Sequence, residues 1–234
     1  MSKKIIYLTI DDAPSEIMND KIEYLLCEEI PAIFFCEGAK LKDRGDVVIN
    51  AIRKGFMIGN HSYSHPHFSK ISVDKGKKEI KDTDDLINKL YLKADKKRPA
   101  KIFRFPYGDK GTSGKVKIYQ EFLKNLGYSQ PEFENIDDVW VNKKRIFEYY
   151  DVLWTYDSDD YKTENDYKKG KRESEETILA KMDKKFPGCM EGLSLNEYSD
   201  IVLVHDHPET KDLFIKMVDK LKSKGFEFRL PKLK

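Results

Sequence analysis

The chain has 234 residues, with 43 Lys plus Arg against 41 Asp plus Glu and a net charge of +2. That near balance excludes a binder driven by phosphate electrostatics, which needs a basic excess. A content of 39% hydrophobic and 12% aromatic residues excludes a disordered chain.

Taken in chain order, short apolar runs alternate with helical periodicity. Residues 5–10 read as a buried strand. Ile22, Leu25, Leu26 and Ile30 share one helical face that Pro31 ends, and residues 32–36 form a second strand. Val47, Val48, Ala51 and Ile52 mark a helix closed by Gly55, followed by a third strand at 56–59. Ile80, Ile87, Leu90 and Tyr91 line one face of a charged helix before a strand at 101–105. Tyr119, Phe122, Leu123 and Leu126 suit a helix ending at Gly127, and 152–156 and 201–204 are further strands. Leu213, Phe214, Met217, Val218 and Leu221 predict a last helix closed by Gly225, with a final strand at 226–230. This alternation predicts an α/β fold whose parallel sheet carries its helices outside. With about seven strands, a (β/α) barrel is expected, and residues 1–234 read as one domain. The polar stretches 129–150 and 166–199 read as loops and short helices decorating it. The lysine-rich pieces 75–78 and 93–98 read as solvated surface.

Cys27, Cys36 and Cys189 form no CxxC pair, and Cys27 and Cys36 read as buried free thiols within apolar runs. No signal peptide is seen, and no stretch approaches the roughly 20 apolar residues of a membrane span. The expectation is a cytoplasmic protein that binds no nucleic acid. Oligomeric state is left open.

The out-of-place polar residues all follow strands, where parallel α/β folds build their active sites. Strand one runs into Thr9-Ile10-Asp11-Asp12-Ala13-Pro14, whose adjacent carboxylates need a cation or a proton to sit together, unless they merely cap a turn. His61 and His65 stand four apart, a spacing that on a helical turn aims both imidazoles at one divalent ion. His67 reads as a neighbour placed by the loop. Asp12, His61 and His65 thus make a two-histidine, one-carboxylate set that leaves coordination positions for water and substrate. Asp11 remains as a general base. Arg104, between aromatics at a strand end, needs an anion partner, and pairing with Asp11 supplies one. His205 is placed as a general acid, with Asp160 bonded to its second ring nitrogen and raising its pKa.

These segments, in this order, resemble the polysaccharide deacetylases, the NodB-type domain of carbohydrate esterase family four. Thr9 to Pro14 match its T-F-D-D-G-P motif, and His61, Ser62 and His65 match H-[ST]-x-x-H. Arg104, Pro106, Tyr107 and Gly108 match R-x-P-[YF]-G. Asp157, Asp160 and Tyr161 match D-x-x-D-W, and Ile201, Leu203, His205 and Asp206 match [IV]-x-L-x-H-D. The resemblance implies a distorted (β/α) barrel with about seven strands. It implies Asp11 as base, His205 as acid, Arg104 tethering Asp11 and Asp160 orienting His205. Asp12, His61 and His65 become the ligands of one divalent metal, Zn²⁺ first and Co²⁺, Ni²⁺ or Mn²⁺ as alternatives. The backbone N–H of Tyr107 would help bind the oxyanion, and Tyr161 and Leu203 would wall the pocket for the acetyl methyl. The implied reaction is hydrolytic N-deacetylation of an N-acetylated saccharide. The alternatives are a C–N hydrolase acting on a small non-carbohydrate amide or imide, and a non-catalytic sugar-binding relative. Three departures stand out: Ile10 for Phe, Tyr161 for Trp, and Ala13 for Gly, where a left-handed backbone would cost about 1 kcal/mol.

Overall fold

A computed structural model describes residues 4–136, 149–165, 167–168, 170–184, 193 and 198–233. Strand β1 (Ile5–Ala13) is buried along its whole length. It is followed by α1 (Met18–Cys27), β2 (Ala32–Cys36), α2 (Gly38–Arg53), β3 (Met57–Asn60), α3 (Val73–Lys93) and α4 (Ser113–Asn125). Then come β4 (Tyr156–Asp157), α5 (Glu175–Lys181), β5 (Asp200–His205), α6 (Lys211–Ser223) and β6 (Glu227–Phe228). All strand pairs are parallel, in the order β3-β2-β1-β5-β4, with β6 added to β1.

Single backbone bonds carry the ladder past the strand ends and close it into a distorted barrel. Asn60 N–H donates to Ile102 O, Arg104 N–H to Asn60 O, and Val152 N–H to Phe103 O. Residues 101–105, expected as a strand, therefore make only isolated bridges at Lys101 and Phe103. The expected strand at 152–156 regularises only at Tyr156–Asp157.

The two faces of each strand separate by parity. Ile6, Leu8, Ile10, Phe34, Ile58 and Val202 pack outward in one apolar cluster with the helices. Ile5, Tyr7, Ile33, Phe35, Met57 and Ile201 fill a second cluster, which is the barrel interior. The inward row of β1 continues to Thr9 and Asp11, and that of β5 to Leu203 and His205. Register does the rest, because Asp11 pairs directly with His205 and Cys36 with Asn60, the residue before His61. Gly59 permits this packing, since a Cβ there would lie 2.5 Å from the Phe35 ring.

Several local expectations change. The first helix ends at Cys27, ahead of Pro31, where Glu29 adopts φ 53°. Cys27 is exposed while Cys36 is buried, and Cys189 lies outside the described residues. Arg98, expected at the surface, has a side chain only 8% exposed and pairs with Asp84. Much of 129–150 and 166–199 lies outside the described residues, although the latter stretch contains α5. Among the described residues, no helix is long and apolar enough to cross a membrane.

Candidate active site

The mouth of the barrel opens into a cleft of about 690 Å³, and all five histidines of the chain line it. The backbone there is held in conformations that L-residues avoid. Asp12 (φ 63°), Ser62 (66°), His65 (52°), Tyr107 (58°) and Asp159 (62°) all lie in the left-handed region. Each such residue costs of order 1–2 kcal/mol, and this strain gathers where the polar side chains converge. The strain expected at Ala13 falls instead on Asp12.

Asp12, His61 and His65 place one ligating atom each within 4.8 Å of one another, and among the described residues they are the only such cluster. Their convergence does not come from a helical turn. Residues 61–65 form a bent, non-helical loop whose left-handed positions at Ser62 and His65 swing the imidazoles together. Asp12 Oδ1 lies 3.3 Å from His61 Nε2 and 3.1 Å from His65 Nε2. Ligands on a tetrahedral Zn²⁺ at about 2.0–2.1 Å would stand about 3.3 Å apart. Oδ1 is buried and has no hydrogen-bond partner, which is the condition of an atom awaiting a cation. His61 Nδ1 lies 2.9 Å from the Arg104 carbonyl, which only accepts, so Nδ1 carries the proton and leaves Nε2 available as a ligand. The residues therefore fit a divalent metal. Burial alone would raise the Asp12 pKa. The hydrogen bond from His207, with the imidazoles of His61 and His65 alongside, outweighs it and holds the carboxyl well below the usual range.

Arg104 is fully buried, not a surface ion pair. Its Nη1 donates to Asp11 Oδ1 and to Thr9 Oγ1, both at 2.8 Å, and its Nε donates to Val152 O at 3.1 Å. The guanidinium lies over the Phe35 ring at 4.3 Å. Asp11 is thereby fixed through one oxygen, while Oδ2 stands 3.6 Å from His61 Nε2, beside the ligand cluster.

On the opposite wall, His205 Nδ1 lies 2.7 Å from Asp160 Oδ1, and His205 N–H donates to Asp160 Oδ2 at 2.8 Å. Burial pulls the His205 pKa down, but the Asp160 carboxylate outweighs it and lifts the group to about 10. Tyr161 packs edge-on against the same imidazole at 5.2 Å. Tyr161, Leu203 and Trp154 supply the apolar wall of the cleft. Tyr107 is 60% exposed at the rim, stacked on His67 at 4.0 Å, which gives His67 its place.

Every residue assigned from the sequence thus reaches this cleft or directly supports it. Further participants had no role assigned from the sequence, although Asp157 and Asp206 stand in its motifs. His207 Nε2 bonds Asp12 Oδ2 at 2.8 Å, and its Nδ1 meets Glu164. Burial lowers the His207 pKa, but these two carboxylates raise it to about 9. Asp206 accepts from Ser15 N–H (2.6 Å) and Ser15 Oγ (2.9 Å) and pairs with the buried Lys21 at 3.2 Å. Lys21 also donates to His205 O at 2.9 Å, so this pair ties the segment that follows β1 to the end of β5. The nearest available signal was the His-Asp-His run at 205–207. Asp157 also lines the cleft. Its pKa is raised to about 6 by burial, and it has no ion pair among the described residues.

A family model described as polysaccharide deacetylase matches residues 1–130. A peptidoglycan-N-acetylmuramic acid deacetylase of Bacillus subtilis is 34% identical over 108 residues, 46% of this chain and 22% of that protein. The matched segments span between 22% and 38% of the length of the first curated relatives. A family 4 carbohydrate esterase from Streptomyces lividans, solved with acetate, shares the fold at a TM-score of 0.66 and 21% identity, over 97% of this chain and 92% of its own. A pseudoenzyme of the same family from Bacillus anthracis superposes at 0.63 with 21% identity, covering 97% of this chain and 63% of that one.

Proposed function

The chain belongs to the polysaccharide deacetylase family, and on that premise we propose that it hydrolyses the acetamide of an N-acetylated amino sugar or oligosaccharide, releasing acetate. The observation that carries this reading is the register pair Asp11–His205. It puts a carboxylate and an imidazole, suited to act as base and acid, on adjacent strand ends, with the Asp12–His61–His65 cluster beside them.

A divalent ion held by Asp12, His61 and His65 would polarise the amide oxygen and acidify the attacking water. Asp11, fixed by Arg104, takes the proton from that water as the new C–O bond forms. His205, charged and oriented by Asp160, gives its proton to the amide nitrogen as the C–N bond breaks, so the products are acetate and a free amine. Leu203, Tyr161 and Trp154 receive the acetyl methyl and exclude water from it. The exposed Tyr107 ring at the rim of the cleft offers an aromatic surface to a sugar face. A cleft of about 690 Å³ is of the size that small ligands fill.

Retention of base, acid, Arg104 and all three ligands supports an active enzyme over a sugar-binding relative that has lost its chemistry. The test is acetate release from chitin oligomers, peptidoglycan fragments and nucleotide- or lipid-linked amino sugars. It is run before and after chelation, with Zn²⁺ or Co²⁺ added back. Release from an amino sugar, silenced by chelation and restored by metal, is the expected result. Turnover of a simple amide or imide with none of the sugars would replace it with the small-amide reading. Activity that survives exhaustive chelation would remove the metal from the mechanism.

A further inference from the structure

The two oxygens of Asp12 are treated differently. Oδ1 has no hydrogen-bond partner and faces the two ligand imidazoles. Oδ2 accepts from His207 Nε2 at 2.8 Å, and the other nitrogen of that ring meets Glu164. His207 is outside the ligand cluster, whose atoms among the described residues come only from Asp12, His61 and His65. Its approach is built rather than incidental. Asn165, next to Glu164, donates from N–H and from Nδ2 to the Glu209 carboxylate, both at 2.8 Å. Thr210 Oγ1 donates to His207 O at 3.0 Å. The segment bearing Glu164 and the turn bearing His207 are thus locked together before either reaches Asp12.

We propose that Glu164 and His207 are positioning residues that clamp Asp12 Oδ2, so that the carboxylate offers a single oxygen, Oδ1, to the divalent cation. An unclamped carboxylate can rotate about its last bond and present either oxygen or both. A second oxygen would fill a coordination position that the reaction needs for water and the amide oxygen. Hydrogen-bonding a ligating carboxylate from outside also fixes its direction, and removing such a partner costs typically 10–100-fold in metal affinity or activity. The inference rests on the metal-site reading above and adds two residues to it.

The test is metal binding by the full chain, read without turnover. Zn²⁺ is titrated against a chromophoric chelator, and Co²⁺ binding is followed by its visible absorption bands. His207→Ala is expected to weaken Zn²⁺ about 10–100-fold and to change the Co²⁺ bands as the second oxygen becomes free. His207→Gln, whose side-chain amide still donates, should recover most of the affinity. Glu164→Gln should weaken binding by a few fold, and it supplies the test if His207→Ala fails to fold. Wild-type affinity and unchanged Co²⁺ bands in both His207→Ala and Glu164→Gln would overturn the proposal. So would a loss as complete as that of His61→Ala, which would make His207 a ligand itself. A wild-type protein that takes up neither ion would overturn the metal site as a whole, an outcome distinct from failure of the clamp.

Discussion

Two buried carboxylates, Asp84 and Asp12, show how the same chemical group is used for opposite ends. Burial would raise the pKa of each, and in each it is outweighed, so that both are held low. Asp84, on α3, is answered by fixed partners on both oxygens. Arg98 Nη1 is at 2.5 Å and Tyr128 OH at 3.0 Å from Oδ1, and Lys101 Nζ is at 2.8 Å from Oδ2. Tyr128 OH also accepts from Asn60 Nδ2 at 2.7 Å, so this cluster braces the strand end that precedes His61. Asp12 is answered only by imidazoles, and one of its oxygens is left without a hydrogen bond. A structural carboxylate closes its bonds on the chain. Asp12 leaves one atom open, as a carboxylate able to take a cation does.

The comparison breaks if substitutions at the two sites have the same consequence. Asp12→Asn keeps a residue that tolerates a positive φ. It should lower Zn²⁺ affinity by 100-fold or more, while the melting temperature of the metal-free protein moves by only a few degrees. Asp11→Asn should cut acetate release by about 10²–10⁴-fold, the usual worth of a general base, with Zn²⁺ affinity intact in a chelator titration. Near-normal turnover would displace Asp11 from that role. Asp84→Asn should do the reverse of Asp12→Asn. Leaving Arg98 and Lys101 uncompensated should cost about 3–5 kcal/mol in denaturant unfolding, with turnover per folded molecule unchanged.

Asp160→Asn sharpens the contrast through pH. His205 must be protonated to act as an acid, and with Asp160 present its pKa is raised to about 10. Activity should therefore persist through neutrality and fall only as the solution turns alkaline. Losing the carboxylate removes the largest raising influence, so in Asp160→Asn the alkaline limb of the kcat profile should move down by about one pH unit or more. An unmoved limb would assign it to another group. The smallest effect belongs to Asp82, whose exposed pairing with Lys78 at 2.8 Å is an ordinary helix-surface contact. Asp82→Ala should change stability by about 0.5 kcal/mol or less.

The site was legible because its residues are spelled at strand ends in fixed order. Asp11, Asp12, His61, His65, Arg104, Asp160 and His205 each follow an apolar run or occupy a motif. What escaped was partnership. His207 and Asp12 lie 195 positions apart, Lys21 and His205 184, and no local pattern joins either pair. Arg98 looked solvated because a run of lysines surrounds it, and only the packing of Asp84 against it shows otherwise. Helical spacing at His61 and His65 was a sound reason to expect the two imidazoles to converge but the wrong geometry, since left-handed residues make the turn.

By itself the sequence determined the parallel α/β alternation and the polar residues, Asp11, Asp12, His61, His65, Arg104, Asp160 and His205, that gather at the strand ends. Periodicity and residue chemistry are local, and they survive in a one-dimensional record. The tertiary structure alone decided that Asp11 sits opposite His205, that irregular bridges at 101–105 close the barrel, and that His207 with Glu164 takes hold of Asp12. Those outcomes depend on register and on how distant loops pack. Both are fixed by burying the whole apolar surface at once, not by any segment on its own.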